Sequence, residues 1–262
     1  MNSPTGPDIK RVAQRRLGEF ILLDEEELEL LERTVALQRE LRRRERLLRQ
    51  GDRVCEVYLL IDGWVGCSME VDFDRHQLVK LHLPGDLLGL PNIALGAAAS
   101  SLIALTPALV GIIPLERLAG LFETAPRLAL TLFLCAQQER IMLMDHLAAV
   151  GQTSGTQRVC ALLLHVHRRL KLFEPDRDNL IEWPLSQEHM AQGAGLTAIH
   201  VNRTLSALTR QGVIVKEGKK IRLLDLERLT ELAAFPDRNW SQEPPWLRSV
   251  ERVRRRLSEE DG

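Results

Sequence analysis

Between residues 197 and 222 stand side chains whose chemistry suits the edges and backbone of a nucleic acid. Arg203 offers a forked guanidinium matched to guanine, and Asn202 a carboxamide matched to adenine. Six basic residues (Arg203, Arg210, Lys216, Lys219, Lys220 and Arg222) accompany a single acid, Glu217, in that stretch. The whole chain has a formal net charge of −1, so positive charge is gathered where phosphates would lie.

The flanking residues predict the elements that would present these groups. Ser186 suits the N-cap of a short helix whose Met190, Ala191 and Ala194 give a small apolar face. Gly195 supplies a tight turn, Leu196 can plug the space between two helices, and Thr197 caps the second helix. In that helix Val201, Leu205 and Leu208 recur at i, i+4 and i+7 and predict its core side. Ile199, Arg203, Ser206 and Arg210 fall opposite, with Asn202 on the flank. Gly212 ends the helix, and Val213–Lys216 and Lys219–Leu223 read as strands about a Glu217-Gly218 turn. This is the pattern of a helix-turn-helix with a wing, which sets one helix in the major groove of double-stranded DNA. The candidate DNA contacts are Thr197, Ile199, Asn202, Arg203, Ser206, Arg210, Lys216, Lys219 and Lys220. Two other readings stay open: a helical hairpin with a solvated basic face, and a ligand-binding or interaction dimer whose winged helix meets a protein partner.

The rest of the chain predicts a second domain and a connector. Residues 1–16 read as an N-terminal arm, and Asp24 caps a helix over Glu25–Leu37. The arginine-rich run Arg39–Arg49 reads as a solvated surface, because Leu41, Leu47 and Leu48 interrupt it. Val57–Ile61, Trp64–Val71, Gln77–Leu83 and the apolar run Leu102–Ile113 read as strands of a small antiparallel roll spanning 17–123. Leu115–Phe122 is a short helix. Pro126 opens a long one in which Leu130, Leu134, Gln137, Ile141, Met144 and Ala148 recur at four and three residues, with Leu147 able to share the contact beside the small Ala148. This heptad seam suits a two-helix dimer contact, while burial of both apolar faces within one monomer stays open. A second stripe of Leu132, Cys135 and Met142 is available to the roll. Helix and hinge occupy 124–152, with the break at Gly151–Gly155. Thr156 can cap the next helix, the winged domain spans 153–235, and 236–262 is a tail. The fold class is α+β.

This order of parts resembles the cyclic-AMP receptor protein and fumarate–nitrate regulator (CRP/FNR) family of bacterial transcription factors, over about residues 17–235. The segment Gly195–Leu205, with His200-Val201-Asn202-Arg203 at its centre, looks like the recognition helix of one branch, and Leu81–Asp86 with its Pro-Gly-Asp turn also looks like that branch. The resemblance implies a homodimer on a palindromic operator, in contact with RNA polymerase and open to a small-molecule effector. The four cysteines, too few and too widely spaced for a disulfide framework, point to the cytoplasm. Arg203 matches the family's base-contacting arginine. Ile199 stands where better-known members carry a base-reading glutamate, so their target sequence does not carry over.

Cyclic AMP does not fit. Members that bind it hold the ribose with a glutamate shortly after the Pro-Gly-Asp turn and the phosphate with an Arg-Ser pair. Here Leu90 takes the glutamate's place and Ser100-Ser101 the pair's. From Leu81 to Glu116 there is no lysine or arginine, so a buried phosphate would lack its cation. The oxygen-sensing members' N-terminal cysteine cluster is absent too, since no cysteine precedes Cys55. Cys55 and Cys67 could form a redox pair, and His76, His82 or Cys67 could hold haem, but buried cysteines and strand histidines more often serve the core. No metal and no cofactor are expected. Serine-hydrolase, Walker and HExxH motifs are all absent. No stretch of about 18 unbroken apolar residues suggests a membrane span. Aromatics at 4% leave single-strand stacking poorly supported.

Overall fold

The computed structural model describes residues 8–72, 75–176, 178–233, 238 and 246. Helices α1 (Ile9–Leu17) and α2 (Glu25–Thr34) lead into strands β1 (Leu37–Leu41), β2 (Arg46–Leu48), β3 (Glu56–Asp62), β4 (Val65–Asp72), β5 (Arg75–His82), β6 (Leu87–Leu88), β7 (Ser101–Ala104) and β8 (Ala108–Pro114). Two four-stranded antiparallel sheets result, in the orders β1-β8-β3-β6 and β2-β7-β4-β5. Their inner faces bury Leu41, Tyr58, Leu60, Leu88 and Val110 against Leu47, Leu48, Val65 and Leu102. Strand β3 is covered on both sides, with Tyr58 and Leu60 inside the roll and Val57, Leu59 and Ile61 outside it among the helices. That double burial is why it reads as an unbroken apolar run.

Helix α3 (Leu115–Thr124) turns sharply into α4 (Pro126–Gln152). The 27 residues of α4 make it about 40 Å long. Ser154 then caps α5 (Gly155–Phe173) in a full capping box with Gln157. Strand β9 (Leu180–Glu182), helices α6 (Gln187–Ala194) and α7 (Ala198–Arg210), strands β10 (Ile214–Glu217) and β11 (Lys220–Leu223), and α8 (Leu226–Ala233) complete the described chain. The last sheet has the order β10-β11-β9. No single helix among the described residues is long and apolar enough to cross a membrane.

Several sequence expectations are corrected. Part of the predicted arm is helix α1: Asp8 caps it, and Ile9, Val12, Ala13 and Leu17 enter the core beside α2 and α4. Helix α2 stops at Thr34, since Val35 is already extended and Leu37 pairs with Ile112. The arginine-rich run forms β1 and β2 at a sheet edge; its arginines are exposed, as expected, while Leu41, Leu47 and Leu48 point inward. The run Leu102–Ile113 divides at Leu105–Pro107 into β7 and β8, which belong to different sheets. The cap of α5 is Ser154 rather than Thr156, and α4 continues through Gly151. In the wing the pairing of Glu217 with Lys220 puts Gly218-Lys219 at the tip. Residues 1–7 of the arm and the Pro244-Pro245 and Arg254–Arg256 stretches of the tail lie outside the described residues.

Candidate DNA-binding surface and the roll beside it

Helix α7 is built with two faces. Val201, Leu205 and Leu208 are buried in one core with Met190, Ala191 and Ala194 of α6. Successive residues turn by about 100°, so Arg203 emerges opposite Val201 and Leu205, and it is exposed together with Asn202, Ser206 and Arg210. Ile199 is 75% exposed, a large apolar side chain in the first turn that nothing in the fold covers. Gly195 joins the helices at φ +61, a left-handed conformation that costs glycine nothing, and the Leu196 side chain packs partly buried against the shared core. Ser186 and Thr197 accept the amide hydrogens of His189 and His200 at 3.3 and 3.4 Å, satisfying N–H groups that the first turn leaves unpaired.

All nine candidate contacts lie on this surface. Thr197, Ile199, Asn202, Arg203, Ser206, Arg210, Lys219 and Lys220 are exposed, and Lys216 is half-buried. Thr197 is engaged as the cap of α7, and the Asn202 side-chain oxygen accepts a hydrogen bond from Gln187 at 3.3 Å. Lys220 lies 3.8 Å from Glu182, and Arg222 donates to Asp178 at 3.1 Å. The wing's charge is therefore partly answered by β9 and the loop before it, while Lys219 stands at the tip. Arg43 of the roll reaches the Pro184 carbonyl ahead of α6 at 3.5 Å. The two residues are 141 apart in the chain, and no local pattern could have joined them.

The heptad seam of α4 is only half available. Leu130 and Leu134 pack partly buried against the roll's outer core, and Gln137 and Ile141 are half-buried. Met144 is 60% exposed and Ala148 is exposed too. Phe133 at 56% and Leu147 at 74% are exposed beside the seam. The stripe of Leu132 and Cys135 enters the roll's outer core as expected.

The residues weighed against a cyclic nucleotide make internal contacts. Leu90 packs partly buried beside the outer core, Ser101 accepts the Gln50 amide at 2.9 Å, and the Cys67 thiol donates to Ser100 at 3.1 Å. Burial, the largest effect on Cys67, raises its thiol pKa, and burial likewise pushes Cys135 up to about 12 and Cys160 up to about 11. Thiols held protonated are poor nucleophiles.

The Pro-Gly-Asp turn joins three elements. Gly85 adopts φ +85, and a Cβ there would stand 2.4 Å from that of Arg16, so α1 approaches the turn only because residue 85 is glycine. Asp86 is buried and takes Arg169 of α5 at 2.8 Å and Arg16 of α1 at 3.3 Å. Burial alone would raise its pKa; Arg169, His82, Lys80 and Arg16 outweigh burial and hold it well below the usual carboxylate range. Arg16 also donates to Gln138 of α4 at 2.7 Å. His82, Asp86 and Glu139 bring ligand-type atoms within 4.8 Å of one another. Their carboxylates already answer Arg16, Arg169 and Lys80, the last at 2.5 Å from Glu139, a donor set made for ion pairing rather than for a metal. Trp64 of the roll meets Trp183 edge to face, with centroids 5.7 Å apart, and Leu83 and Leu105 join the same cluster, so the winged unit and the roll share apolar contacts as well as the Asp86 network.

Comparison with known proteins agrees with this architecture. Residues 38–125 match the cyclic nucleotide-binding domain family, and residues 157–232 match the Crp-like helix-turn-helix domain family. The chain is 28% identical to the transcriptional activator protein FnrL of Cereibacter sphaeroides over 214 residues, covering 80% of this chain and 85% of that protein. It is 27% identical to the transcriptional activator protein anr of Pseudomonas aeruginosa, covering 79% and 85%. Among solved structures, FixK2 from Bradyrhizobium japonicum superposes with a TM-score of 0.68 at 25% identity, covering 76% of this chain and 98% of that one.

Proposed function

The chain belongs to the CRP/FNR family of DNA-binding transcriptional regulators, and we propose that it works as a homodimer on an inverted-repeat operator. It is a regulator and not an enzyme, like the relatives it matches. The observation that carries the reading is the exposed polar face of α7, set opposite a buried face and flanked by a basic wing. Arg203 reads a base edge, with Asn202 and Ile199 beside it, as in a branch whose recognition helix holds His-Val-Asn-Arg. Lys216, Lys219, Lys220 and Arg210 meet phosphates and set affinity without reading sequence. The dimer forms along α4, through Leu130, Leu134, Gln137, Ile141, Met144 and Ala148, with the exposed Phe133 and Leu147 beside that seam. The roll does not take cyclic AMP, because Leu90 and Ser100 supply neither carboxylate nor guanidinium. It acts in the cytoplasm, answers to an effector of another kind, and contacts RNA polymerase once bound.

Sequencing the genomic fragments that the purified protein retains tests the reading. An inverted repeat should emerge with half-sites about 34 Å apart, one helical turn. Fragments without a shared repeat, or with single half-sites only, would overturn it.

A further inference from the structure

A cavity that the DNA-binding surface does not use lies between the two domains. With a volume of about 530 Å³, typical of small-molecule sites, it opens where β5, α4 and α5 meet. It is separate from the interior of the roll, which Tyr58, Leu60, Leu88 and Leu102 fill. Leu78, Met142, Leu143 and Leu162 give it apolar walls. Among the described residues its lining holds six arginine or lysine side chains and four carboxylates. Each carboxylate is already committed: Glu19 to Arg16, Asp86 to Arg169, Glu139 to Lys80 and Asp145 to Arg238, at 2.5 to 2.8 Å.

Among the described residues Arg158 has no such partner: its Nη1 donates to the Val150 carbonyl at 3.1 Å, and its Nε, shielded from solvent, has no hydrogen-bond partner. Burial and then Arg169 push His165 of the wall down to about 3, and burial, the largest effect on each, also lowers His146 and His189. The bond from Arg158 to Val150 also spans the hinge, because Val150 is in the last turns of α4 and Arg158 in the first turn of α5.

We propose that this interdomain cavity binds a small organic anion, its apolar body against Leu78, Met142 and Leu162 and its charged group on Arg158. Such an anion competes with the Val150 carbonyl for the guanidinium and so biases the hinge that sets the attitude of α7. The effect on DNA rests on the regulator reading above; binding of the anion does not.

The test uses the full chain and two fluorescent probes of matched shape, 8-anilinonaphthalene-1-sulfonate and the uncharged N-phenyl-1-naphthylamine. The sulfonate should bind more tightly than the neutral probe. Arg158→Gln should weaken the sulfonate about tenfold and change the neutral probe by less than about twofold, since one charge-assisted contact is lost. Arg158→Lys should restore part of the difference. Equal affinity of the two probes for the native chain, or an Arg158→Gln chain that binds the sulfonate as the native one does, would overturn the site. Both variants leave the apolar core untouched, and circular dichroism checks that they fold. Fluorescence anisotropy on operator DNA, with and without the sulfonate, supplies the second arm. A chain that shows the expected probe behaviour but binds no DNA keeps the site and removes the regulator reading instead.

Discussion

Asp86 and Arg169 form a buried ion pair at 2.8 Å, and through it the turn that follows β5 of the roll is fastened to α5, the helix that carries the winged unit. Arg16 reaches the same carboxylate from α1, so one side chain holds three elements remote in sequence. The arrangement makes Asp86 costly to remove, because Arg169 would be left buried without its counter-charge and Arg16 would keep only Glu19.

Asp86→Ala should therefore destabilise the fold by about 3–5 kcal/mol, read from denaturant unfolding at neutral pH. The sign of its pH dependence follows from its lowered pKa. The unfolded carboxylate takes its proton near pH 3.9, whereas the folded one resists it. The stabilisation is thus full above about pH 4 and is lost as acid carries the pH down through the folded value. Asp86→Asn should lack that acid-side loss.

His165 acts in a higher window. Its folded pKa falls from the ordinary 6.5 to about 3, so between those values the unfolded chain binds a proton that the folded chain refuses. Native stability should decline as pH drops from 6.5 towards 3. His165→Gln should flatten the decline in that range, and an unchanged slope would place the histidine in solvent.

Dimer formation is expected to depend on the open end of α4. Ile141→Glu combined with Met144→Glu places two carboxylates in an apolar seam and should yield monomers by light scattering. A variant that remains dimeric would move the interface off this helix.

Cyclic AMP and cyclic GMP should give no heat in titration calorimetry, because the roll offers neither a ribose-binding carboxylate at Leu90 nor a phosphate-binding guanidinium at Ser100. Micromolar binding of either nucleotide would require a different mode of holding its phosphate.

The winged unit was readable from the sequence because its signals are local: a cap three residues before the amide it satisfies, a glycine at the turn, and an apolar face repeating at three and four. The long helix was readable for the same reason, but which of its faces stays uncovered was not. Leu130 and Leu134 are claimed by the roll, and Phe133 and Leu147 are left open, an outcome set by packing against elements far away in the chain. Helix α1 was missed because IKRVAQRRL carries five polar residues among nine, and its apolar stripe is only four residues. The Asp86 network was out of reach altogether. Arg16, Gln138 and Arg169 lie far from residue 86 in sequence, and no spacing rule links a turn to helices that only the tertiary fold brings to it.

On the reading proposed above, α7 reads sequence through Arg203 while the wing supplies only electrostatic affinity. That division is tested most directly by comparing operator and scrambled DNA for Arg203→Ala and Lys219→Ala in fluorescence anisotropy across a salt series. Arg203→Ala should flatten the preference, with a loss of about 1–3 kcal/mol per half-site on the operator alone. Lys219→Ala should weaken both DNAs alike and reduce the salt dependence. An Arg203→Ala protein that keeps the native ratio of operator to scrambled affinity would contradict the account.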